Sequence, residues 1–396
     1  MARTLHEVVF VDGVRTPFGR AGEKGIFWKT RADELVVKVI RELIKRNPKV
    51  EPASVDDNIW AATTQIGDQG LTMGRTTVLL SGLPKSVPGF SVDRMCAGAM
   101  TAVCCGAGEI ATGSADVIIA GGVEHMGHHP MGEGVDPNPR IVAEKIVDPS
   151  ALNMGNTAEN LHDRQPDVTK ERCDTYSVNC QNKAEAALKS GKLADMIVPM
   201  TVWSADGWKL ADKDEQPRPA TTMESLAGLR TPFRAGGRVT AGNSSGLNDG
   251  ACGCIITSEE KAKELGLKAK MRFVSFGFAG VEPEIMGYGP IPSTEKALKK
   301  AGLTIDDIGL IEMNEAFAVQ AVAFLDHFGL ALDDPKVNPY GGAIAYGHPL
   351  ASSGVRLMIH LAHEFAEHPE VRYGLATMCI GLGMGGTVIW ENLQTS

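Results

Sequence analysis

The chain has 396 residues, of which 43% are hydrophobic and 22% are charged, and its formal net charge is −9. Such a composition is typical of a compact protein of about two or three domains, and it excludes extensive disorder and a fibrous repeat. The acidic balance also excludes a general basic surface for nucleic acid or an anionic membrane.

The ends of the chain and its cysteines indicate the cellular compartment. Residues 1–7 include no apolar signal segment, and the final Leu-Gln-Thr-Ser is no peroxisomal or prenylation signal. A long uncharged run over 373–390 holds five glycines and favours a hairpin over a membrane helix. The eight cysteines are scattered along a chain too long to need a disulfide framework. We expect a cytoplasmic protein with reduced thiols and no membrane span.

The N-terminal elements alternate between strand and helix. A strand over 7–11 is followed by an apolar helical stripe over 33–45, which ends at Asn47-Pro48. A short strand over 89–92 leads into a helix of small residues over about 96–112, and a buried strand follows over 117–120.

The same alternation returns near the C-terminus. The sequence predicts helices over 294–301, 316–327 and 353–367, a strand over 308–312, and a strand pair over 374–378 and 387–390. Between the two alternating regions, residues 123–247 are rich in proline and polar turns and hold one clear helix, over 170–189. Alternating strands and helices favour a layered α/β fold, so we interpret the middle region as an inserted loop domain.

Cys96 is the first candidate site residue because it follows a strand and a turn and begins a helix. Unpaired N–H groups and the positive dipole end at a helix start favour the thiolate, which is the form that attacks carbonyls. The alternative is a small buried hydrophobic residue, and we keep that interpretation for Cys104 and Cys105.

Three further candidates lie where strands end. His348 lies between a glycine-rich loop and a helix, where an imidazole can act as base toward a thiol. Asn314 directly follows a strand, the place where α/β sheets bind ligands. Cys379 ends another strand before a glycine cluster that includes Gly381, whose free N–H groups can hold an oxyanion. Each residue alone is also compatible with an inert or purely structural role.

Two suggestive patterns are rejected. Gly381-x-Gly383-x-x-Gly386 matches a dinucleotide motif, but too few residues follow it for the helix and the acidic residue that such a site needs. The histidine-containing groups lack nearby cysteines or paired carboxylates, so we expect solvated faces and no metal there. These groups are His125, His128 and His129, and His360, His363 and Glu364.

Taken together, the candidates and their surroundings resemble the thiolase family. Eight stretches in family order carry the resemblance and run through nearly the whole chain: Val11–Gly19, Asp93–Gly98, Gly121–Glu124, Met154–Asn160, Thr240–Ala251, Asn314–Ala318, Gly342–Pro349 and Cys379–Gly385.

The resemblance implies a fold and an activity. The fold is a five-layered αβαβα duplication of two similar halves. The first half covers 1–122 and is completed by about 248–270, the loop domain that binds coenzyme A covers 123–247, and the second half covers 271–396. The implied activity is CoA-dependent thiolytic cleavage of a 3-ketoacyl-CoA, as in fatty-acid β-oxidation.

The resemblance also assigns catalytic roles. Cys96 is the acylated nucleophile, His348 removes its proton, and Cys379 is the acid and base at the substrate α-carbon. One oxyanion site consists of the N–H groups of Cys96 and Gly381, and the other of His348 with a water held by Asn314.

Coenzyme A is expected as a co-substrate, with no bound cofactor and no metal. The resemblance places its binding at Arg218, Ser225, Phe233 and Ser245, with Met154 and Phe317 along the pantetheine channel. Arg230, Arg234 and Arg238 are candidates for its phosphates, although an ordinary solvated loop is an equal alternative. A homodimer or homotetramer is expected, with a β-oxidation partner subunit as a further possible partner.

Four residues depart from the family pattern. Leu382 and Ala351 stand where glycine is common, His125 replaces a small polar residue, and Asn153 stands where acetoacetyl-specific members often carry histidine. The last departure favours the degradative reaction over a condensing acetoacetyl-CoA thiolase. Three rival interpretations are a decarboxylative ketosynthase, a hydroxymethylglutaryl-type synthase and a non-catalytic CoA- or lipid-binding protein.

Overall fold

The computed structural model describes residues 5–204 and 207–394, which form an α/β fold around one large mixed sheet. The strands are β1 (Val8–Arg15), β2 (Gly19–Arg20), β3 (Asp57–Ala61), β4 (Phe90–Val92), β5 (Val117–His125), β6 (Met200–Ser204), β7 (Gly207–Ala211), β8 (Asn248–Ser258), β9 (Met271–Gly280), β10 (Ile308–Asn314), β11 (Tyr373–Ile380) and β12 (Met384–Asn392). The helices are α1 (Ala32–Arg46), α2 (Met73–Ser81), α3 (Gly98–Ala111), α4 (Arg140–Ala143), α5 (Met154–Arg164), α6 (Lys170–Lys189), α7 (Met223–Ala227), α8 (Glu259–Glu264), α9 (Pro290–Ala301), α10 (Ala318–His327), α11 (Ala343–Tyr346) and α12 (Ser353–Glu367).

The main sheet is continuous but has two recognisable halves. Its order is β10-β11-β12-β9-β1-β8-β5-β3-β4, with β2 added at β8. The halves meet where β1 and β9 pair antiparallel through only two residue pairs, Val9 with Arg272 and Phe10 with Met271. Strands β6 and β7 form a separate two-stranded sheet.

Different helices cover the two faces of the first half of the sheet. On β5, Val117 and Ile119 belong to a hydrophobic cluster with α1, whereas Ile118 and Ala120 belong to the larger cluster that contains α3 and α12. Since neighbouring residues of a strand point to opposite faces, α1 lies on the outer face and α3 on the inner one.

The second half repeats this arrangement. On β12, the hydroxyl of Thr387 contacts Ser293 of α9 at 2.9 Å, while the neighbouring Gly386 lies against Met100 of α3. Helices α3 and α12 therefore form a central layer between the halves, and α9 with α10 covers the far side. The predicted five-layered αβαβα fold is confirmed.

A buried ion pair joins the segment around Asp214 to the first strand. Arg15, at the end of β1, donates to both carboxylate oxygens of Asp214 at 2.7 and 2.8 Å. The backbone N–H of Phe18 donates to the same carboxylate at 2.7 Å, and both charged side chains are fully buried. Bidentate Arg–carboxylate geometry fixes orientation as well as distance, so the stretch Val11–Gly19 positions the segment around Asp214.

The predicted elements occur close to their expected bounds. Helices α6 and α12 begin and end at the predicted residues, and the strand pair over 373–392 is the antiparallel hairpin β11–β12. No helix is long and apolar enough to cross a membrane in the part of the chain that the structure describes.

Candidate active site

Cys96 lies in a single 3₁₀ turn, Met95–Ala97, directly before α3. Met95 has a positive φ of 45°, and its N–H donates to the Asp93 carboxylate at 2.6 Å, which fixes the sharp entry into the helix. The sulfur is therefore at a helix start, as the sequence predicts.

Burial dominates the electrostatics of Cys96 and opposes the thiolate that the helix start favours. Loss of solvation raises the pKa of its thiol to about 12, although the N–H groups of Gly381 and of Cys96 itself act in the opposite direction. The buried carboxyl of Glu124 adds to the rise. The sulfur therefore needs a base to become a nucleophile.

Cys379, near the end of β11, is fully buried beside Cys96. Burial, and then the neighbouring Cys96 sulfur, raise the pKa of its thiol well above the ordinary value. The thiol donates to Oε1 of Gln320 at 3.0 Å, so Cys379 is held in the protonated form. Two adjacent thiols of different surroundings are thus present at one site.

His348 is buried and has one free ring nitrogen. Its Nδ1 lies 2.7 Å from the Ser353 hydroxyl, and its backbone N–H donates to Asn248 at 3.1 Å. Nε2 is buried and without a hydrogen-bond partner in the described parts of the chain. Burial, assisted by Arg356, lowers the pKa of the imidazole to about 3, so the ring is neutral in the free enzyme.

A hydrogen bond from Arg356 sets the orientation of the side-chain amide of Asn314, at the end of β10. The guanidinium of Arg356 donates to Asn314 Oδ1 and to Glu312, both at 3.1 Å. Since its oxygen is occupied by this donor, the amide presents Nδ2, for which residues 5–204 and 207–394 supply no acceptor. A buried orphan donor is costly, which indicates an acceptor supplied by a ligand or water.

Packing of the connecting segments brings these residues together. The turn of Cys96 contacts both β11 and the 3₁₀ turn Leu350–Ser352 that follows His348. Helix α12, which carries Arg356, packs on β10. The five predicted catalytic residues, Cys96, Asn314, His348, Cys379 and Gly381, thus occupy strand ends and turns of both halves around the central layer.

The arrangement can perform acyl transfer. It offers a thiol, a neutral imidazole to deprotonate it and a second thiol held protonated. It also offers donors for negative oxygen: the N–H groups of Cys96 and Gly381, which act on the Cys96 sulfur, the unpartnered Nδ2 of Asn314, and Nε2 of His348 once that nitrogen has taken up a proton.

Four of the predicted CoA-binding residues lie near the site. The Phe233 ring covers Gly155, where a Cβ would come within 2.3 Å of the ring, and Met154 precedes that glycine. The Met154 sulfur lies 3.9 Å from the position that a Cβ of Gly381 would occupy. The Ser245 N–H donates to the Ala316 carbonyl at 2.9 Å, next to Phe317.

The other two, Arg218 and Ser225, lie on a largely exposed segment of the chain. The Arg218 side chain is exposed and its N–H donates to Gln181 at 3.0 Å, while Ser225 takes part in the capping box that begins α7. Two of the three arginines proposed for phosphates have acidic partners, because Arg234 and Arg238 both bind Asp163 at 2.5 and 2.6 Å. Arg230 is exposed.

The expectation that the histidine groups form solvated faces is wrong. His125 is buried and stacks on His128 at a ring distance of 3.7 Å. His128 and His129 bind the two oxygens of Asp68 at 2.9 and 2.7 Å. His360 and Glu364 are likewise buried, near Glu312. These side chains are internal polar structure, which a periodic histidine pattern does not distinguish from an exposed face.

Two departures from the family pattern, Ala351 and Asn153, have local explanations, whereas the backbone at Leu382 favours the glycine that is common there. The Ala351 methyl has room because Gly98 lacks a side chain: a Cβ there would lie 3.0 Å from it. Leu382 occupies the left-handed region, with φ of 59°, and is 40% exposed. The Asn153 side chain accepts from the Asn156 N–H at 3.2 Å and thereby caps α5.

Sequence reasoning missed three side chains that hold the site, namely Gln320, Ser353 and Arg356. Each is a polar residue on an otherwise apolar helix face. Gln320 follows Asn314 by six residues, and Ser353 and Arg356 follow His348 by five and eight residues. Polar residues at core positions are the only available signal, and their partners become visible only in the folded chain.

The fold is that of an acyltransferase. The family model "Thiolase, N-terminal domain" matches residues 8–260, and "Thiolase, C-terminal domain" matches residues 267–392. The chain belongs to the thiolase family.

Individual relatives agree with this assignment. A 3-ketoacyl-CoA thiolase of Pseudoalteromonas translucida is 44% identical over 393 residues, which cover 98% of this chain and 100% of the relative. The crystal structure of the Bacillus anthracis acetyl-CoA acetyltransferase has a TM-score of 0.88 and 37% identity, covering 99% of this chain and 100% of that one. Human mitochondrial 3-ketoacyl-CoA thiolase has the same TM-score at 34% identity, covering 98% and 100%.

Proposed function

We propose that the protein is a 3-ketoacyl-CoA thiolase that cleaves its substrate with coenzyme A into acetyl-CoA and a shortened acyl-CoA. One observation carries the proposal: two adjacent buried thiols with different hydrogen-bond partners lie at a site that also holds two orphan polar nitrogens, on His348 and Asn314. The full-length similarity to a 3-ketoacyl-CoA thiolase supports the choice of substrate.

In the first half-reaction, His348 removes the proton of Cys96 and the sulfur attacks the 3-keto carbon. The tetrahedral oxyanion accepts hydrogen bonds from the imidazolium Nε2–H and from the Asn314 amide or a water that it holds. The bond between the α-carbon and the keto carbon then breaks, and its electron pair takes the Cys379 proton at the α-carbon. Acetyl-CoA leaves and the acyl group remains on Cys96 as a thioester.

In the second half-reaction, the Cys379 thiolate removes the proton of an incoming CoA thiol. The CoA sulfur attacks the thioester carbonyl, whose oxyanion is held by the N–H groups of Cys96 and Gly381. Collapse expels the Cys96 sulfur, which recovers its proton from His348, and the shortened acyl-CoA leaves. Both cysteines return to their starting protonation states.

The roles outside the catalytic centre rest on the same proposal. Arg218, Ser225, Phe233 and Ser245 bind coenzyme A, and Met154 and Phe317 line its channel, with no bound cofactor or metal required. The domain division, a cytoplasmic location, and a homodimer or homotetramer that docks a β-oxidation partner subunit belong to the proposal as well.

A second candidate function is the reverse, condensing reaction on acetyl-CoA. It is supported by the similarity to the Bacillus anthracis acetyl-CoA acetyltransferase, and it uses the same residues in reverse order. Comparing thiolysis of acetoacetyl-CoA with that of longer 3-ketoacyl-CoAs distinguishes the two, since only a degradative enzyme needs to accept the longer chains.

The roles of the two cysteines can be separated by experiment. We expect Cys96→Ala to lose both thiolysis of acetoacetyl-CoA and exchange of labelled CoA into acetyl-CoA. Cys379→Ser should lose thiolysis by about 10²–10⁴-fold but lose less of the exchange, which involves the proton of the CoA thiol but no proton transfer at carbon. Cys104→Ser, a buried thiol on α3, is the matched control and should retain both.

Mass spectrometry after mixing with a 3-ketoacyl-CoA without free CoA should find the acyl adduct on Cys96. An adduct on Cys104 or Cys105, or a folded Cys379→Ser enzyme that loses exchange as completely as Cys96→Ala, would contradict these assignments.

A further inference from the structure

Gln320, in the first turn of α10, joins two parts of the proposed site. Its side chain is 1% exposed, with Oε1 facing the Cys379 sulfur at 3.0 Å and Nε2 donating to the backbone carbonyl of Asn314 at 2.9 Å. The stem of the side chain packs beside Gly287, where a Cβ would come within 3.2 Å of it. The amide is therefore confined by contacts on three sides.

These contacts determine which end of the amide faces the thiol. A flipped amide would place Oε1 against the Asn314 carbonyl, two acceptors in contact, and would lose the bond of Nε2. With Oε1 toward Cys379, the sulfur meets an acceptor that binds S–H and repels S⁻. The titratable group that acts on Cys379 from the neighbouring turn is Cys96, another thiol.

The two cysteines thus have opposite partners. Cys96 receives N–H donors, from Gly381 and its own backbone, which favour a charged sulfur. Cys379 faces a carbonyl oxygen, which favours the neutral thiol. Where neighbouring titratable groups have surroundings that separate their protonation states, the surroundings assign acid and base.

We propose that Gln320 is the positioning residue that holds Cys379 as a protonated acid aimed at the substrate α-carbon, and that it couples this acid to Asn314. This inference rests on the proposed thiolase function. When the Cys379 proton passes to the α-carbon, the thiolate that remains faces Oε1 at close range. The same oxygen therefore promotes removal of a proton from the CoA thiol in the second half-reaction, which restores the S–H bond.

The test compares Gln320→Met with Gln320→Glu in the full-length enzyme. Methionine keeps the approximate volume but removes the acceptor, whereas glutamate retains an acceptor oxygen whether or not it is ionised. Thiolysis of acetoacetyl-CoA and exchange of labelled CoA into acetyl-CoA are measured on each variant, with thermal melting to check folding. In a Cys96→Ala background, methylthiolation of Cys379 by methyl methanethiosulfonate is followed against pH by mass spectrometry.

We expect Gln320→Met to lower kcat for thiolysis about tenfold, the loss of one hydrogen bond at the acid, and to lower exchange by less, because exchange involves the proton of the CoA thiol but no proton transfer at carbon. The pH midpoint of Cys379 modification should move down in Gln320→Met and stay or move up in Gln320→Glu. Equal losses in both reactions, or a midpoint that does not move down in Gln320→Met, would overturn the proposal. If Gln320→Met does not fold, a downward midpoint in Gln320→Glu overturns it. Absence of both reactions in the unmodified enzyme would instead overturn the thiolase function itself.

Discussion

At the scale of single residues, Leu382 carries unusual backbone strain next to a proposed oxyanion donor. It has a left-handed φ of 59° and directly follows Gly381 in the turn between β11 and β12. A residue with a Cβ costs about 1–2 kcal/mol in that region, whereas glycine adopts it freely. Strain of this kind persists where surrounding contacts hold it, and here the following Gly383 approaches the backbone of Pro283 closely.

This strain predicts a reversal of the usual order of alanine and glycine. Leu382→Ala and Leu382→Gly both remove the side chain beyond Cβ, so their difference reports mainly the backbone. We expect Leu382→Gly to be more stable than Leu382→Ala by about 0.5–1 kcal/mol in urea unfolding. At Leu210, an exposed position on β7 without positive φ, alanine should be the more stable. If the same one of the two variants, alanine or glycine, were the more stable at both positions, the proposed backbone strain at Leu382 would be contradicted.

The proposed catalytic residues are predictable because each lies where a strand ends or a helix begins, and the local hydrophobic pattern of the sequence shows such junctions. Cys96, His348 and Cys379 are all of this kind. Gln320 and Arg356 are not, because their importance lies in partners 59 and 42 residues away along the chain. The protonation state of Cys96 is also beyond the sequence, since burial outweighs the helix start and burial depends on the assembled fold.

At the scale of elements, the helices and the C-terminal hairpin are predictable from periodicity, whereas β8 is not. It begins with Asn-Asp-Gly, an ordinary turn signal, yet it is a fully buried eleven-residue strand. It pairs with both β1 and β5, so strand neighbours distant in sequence override its local preference.

Three elements come close together at the start of α3, namely α3 itself, β3 and the 3₁₀ turn Leu350–Ser352. A Cβ on Gly98 would lie 2.6 Å from the Ala61 methyl and 3.0 Å from the Ala351 methyl. We expect Gly98→Ala to lower the free energy of unfolding by about 1–3 kcal/mol through overpacking, and Ala351→Gly to restore part of the loss. Urea unfolding of both single variants and the double variant measures the coupling. Gly108→Ala, in the same helix with no atom within 4 Å, is the control, and purely additive effects would contradict direct contact.

At the scale of the whole molecule, the ends of the sheet are unequal. The β10 end is covered, because Ile311 exchanges backbone hydrogen bonds with Lys336 and Asn338 at 2.8 Å each. Strand β4 at the other end pairs only with β3 within residues 5–204 and 207–394. An open edge is a template for another strand, and natural proteins either block it or pair it. The segment that follows β4 leads directly to Cys96, so pairing at this edge would also stabilise the nucleophile turn.

We therefore expect the protein to be at least a dimer in solution, with β4 of each copy at the contact. Light scattering over a dilution series should give a mass of at least twice the 42.1 kDa chain. Amide hydrogen exchange at residues 90–92 should be slow in the assembled protein and should accelerate on dilution to the monomer, while exchange at β10, already covered within the chain, should not change. A persistent 42.1 kDa species, or slow exchange at β4 that is independent of concentration, would contradict this contact. Because Cys96 lies four residues beyond β4, dissociation should also reduce acylation of Cys96, and measuring both along the same dilution series tests whether assembly supports the active site.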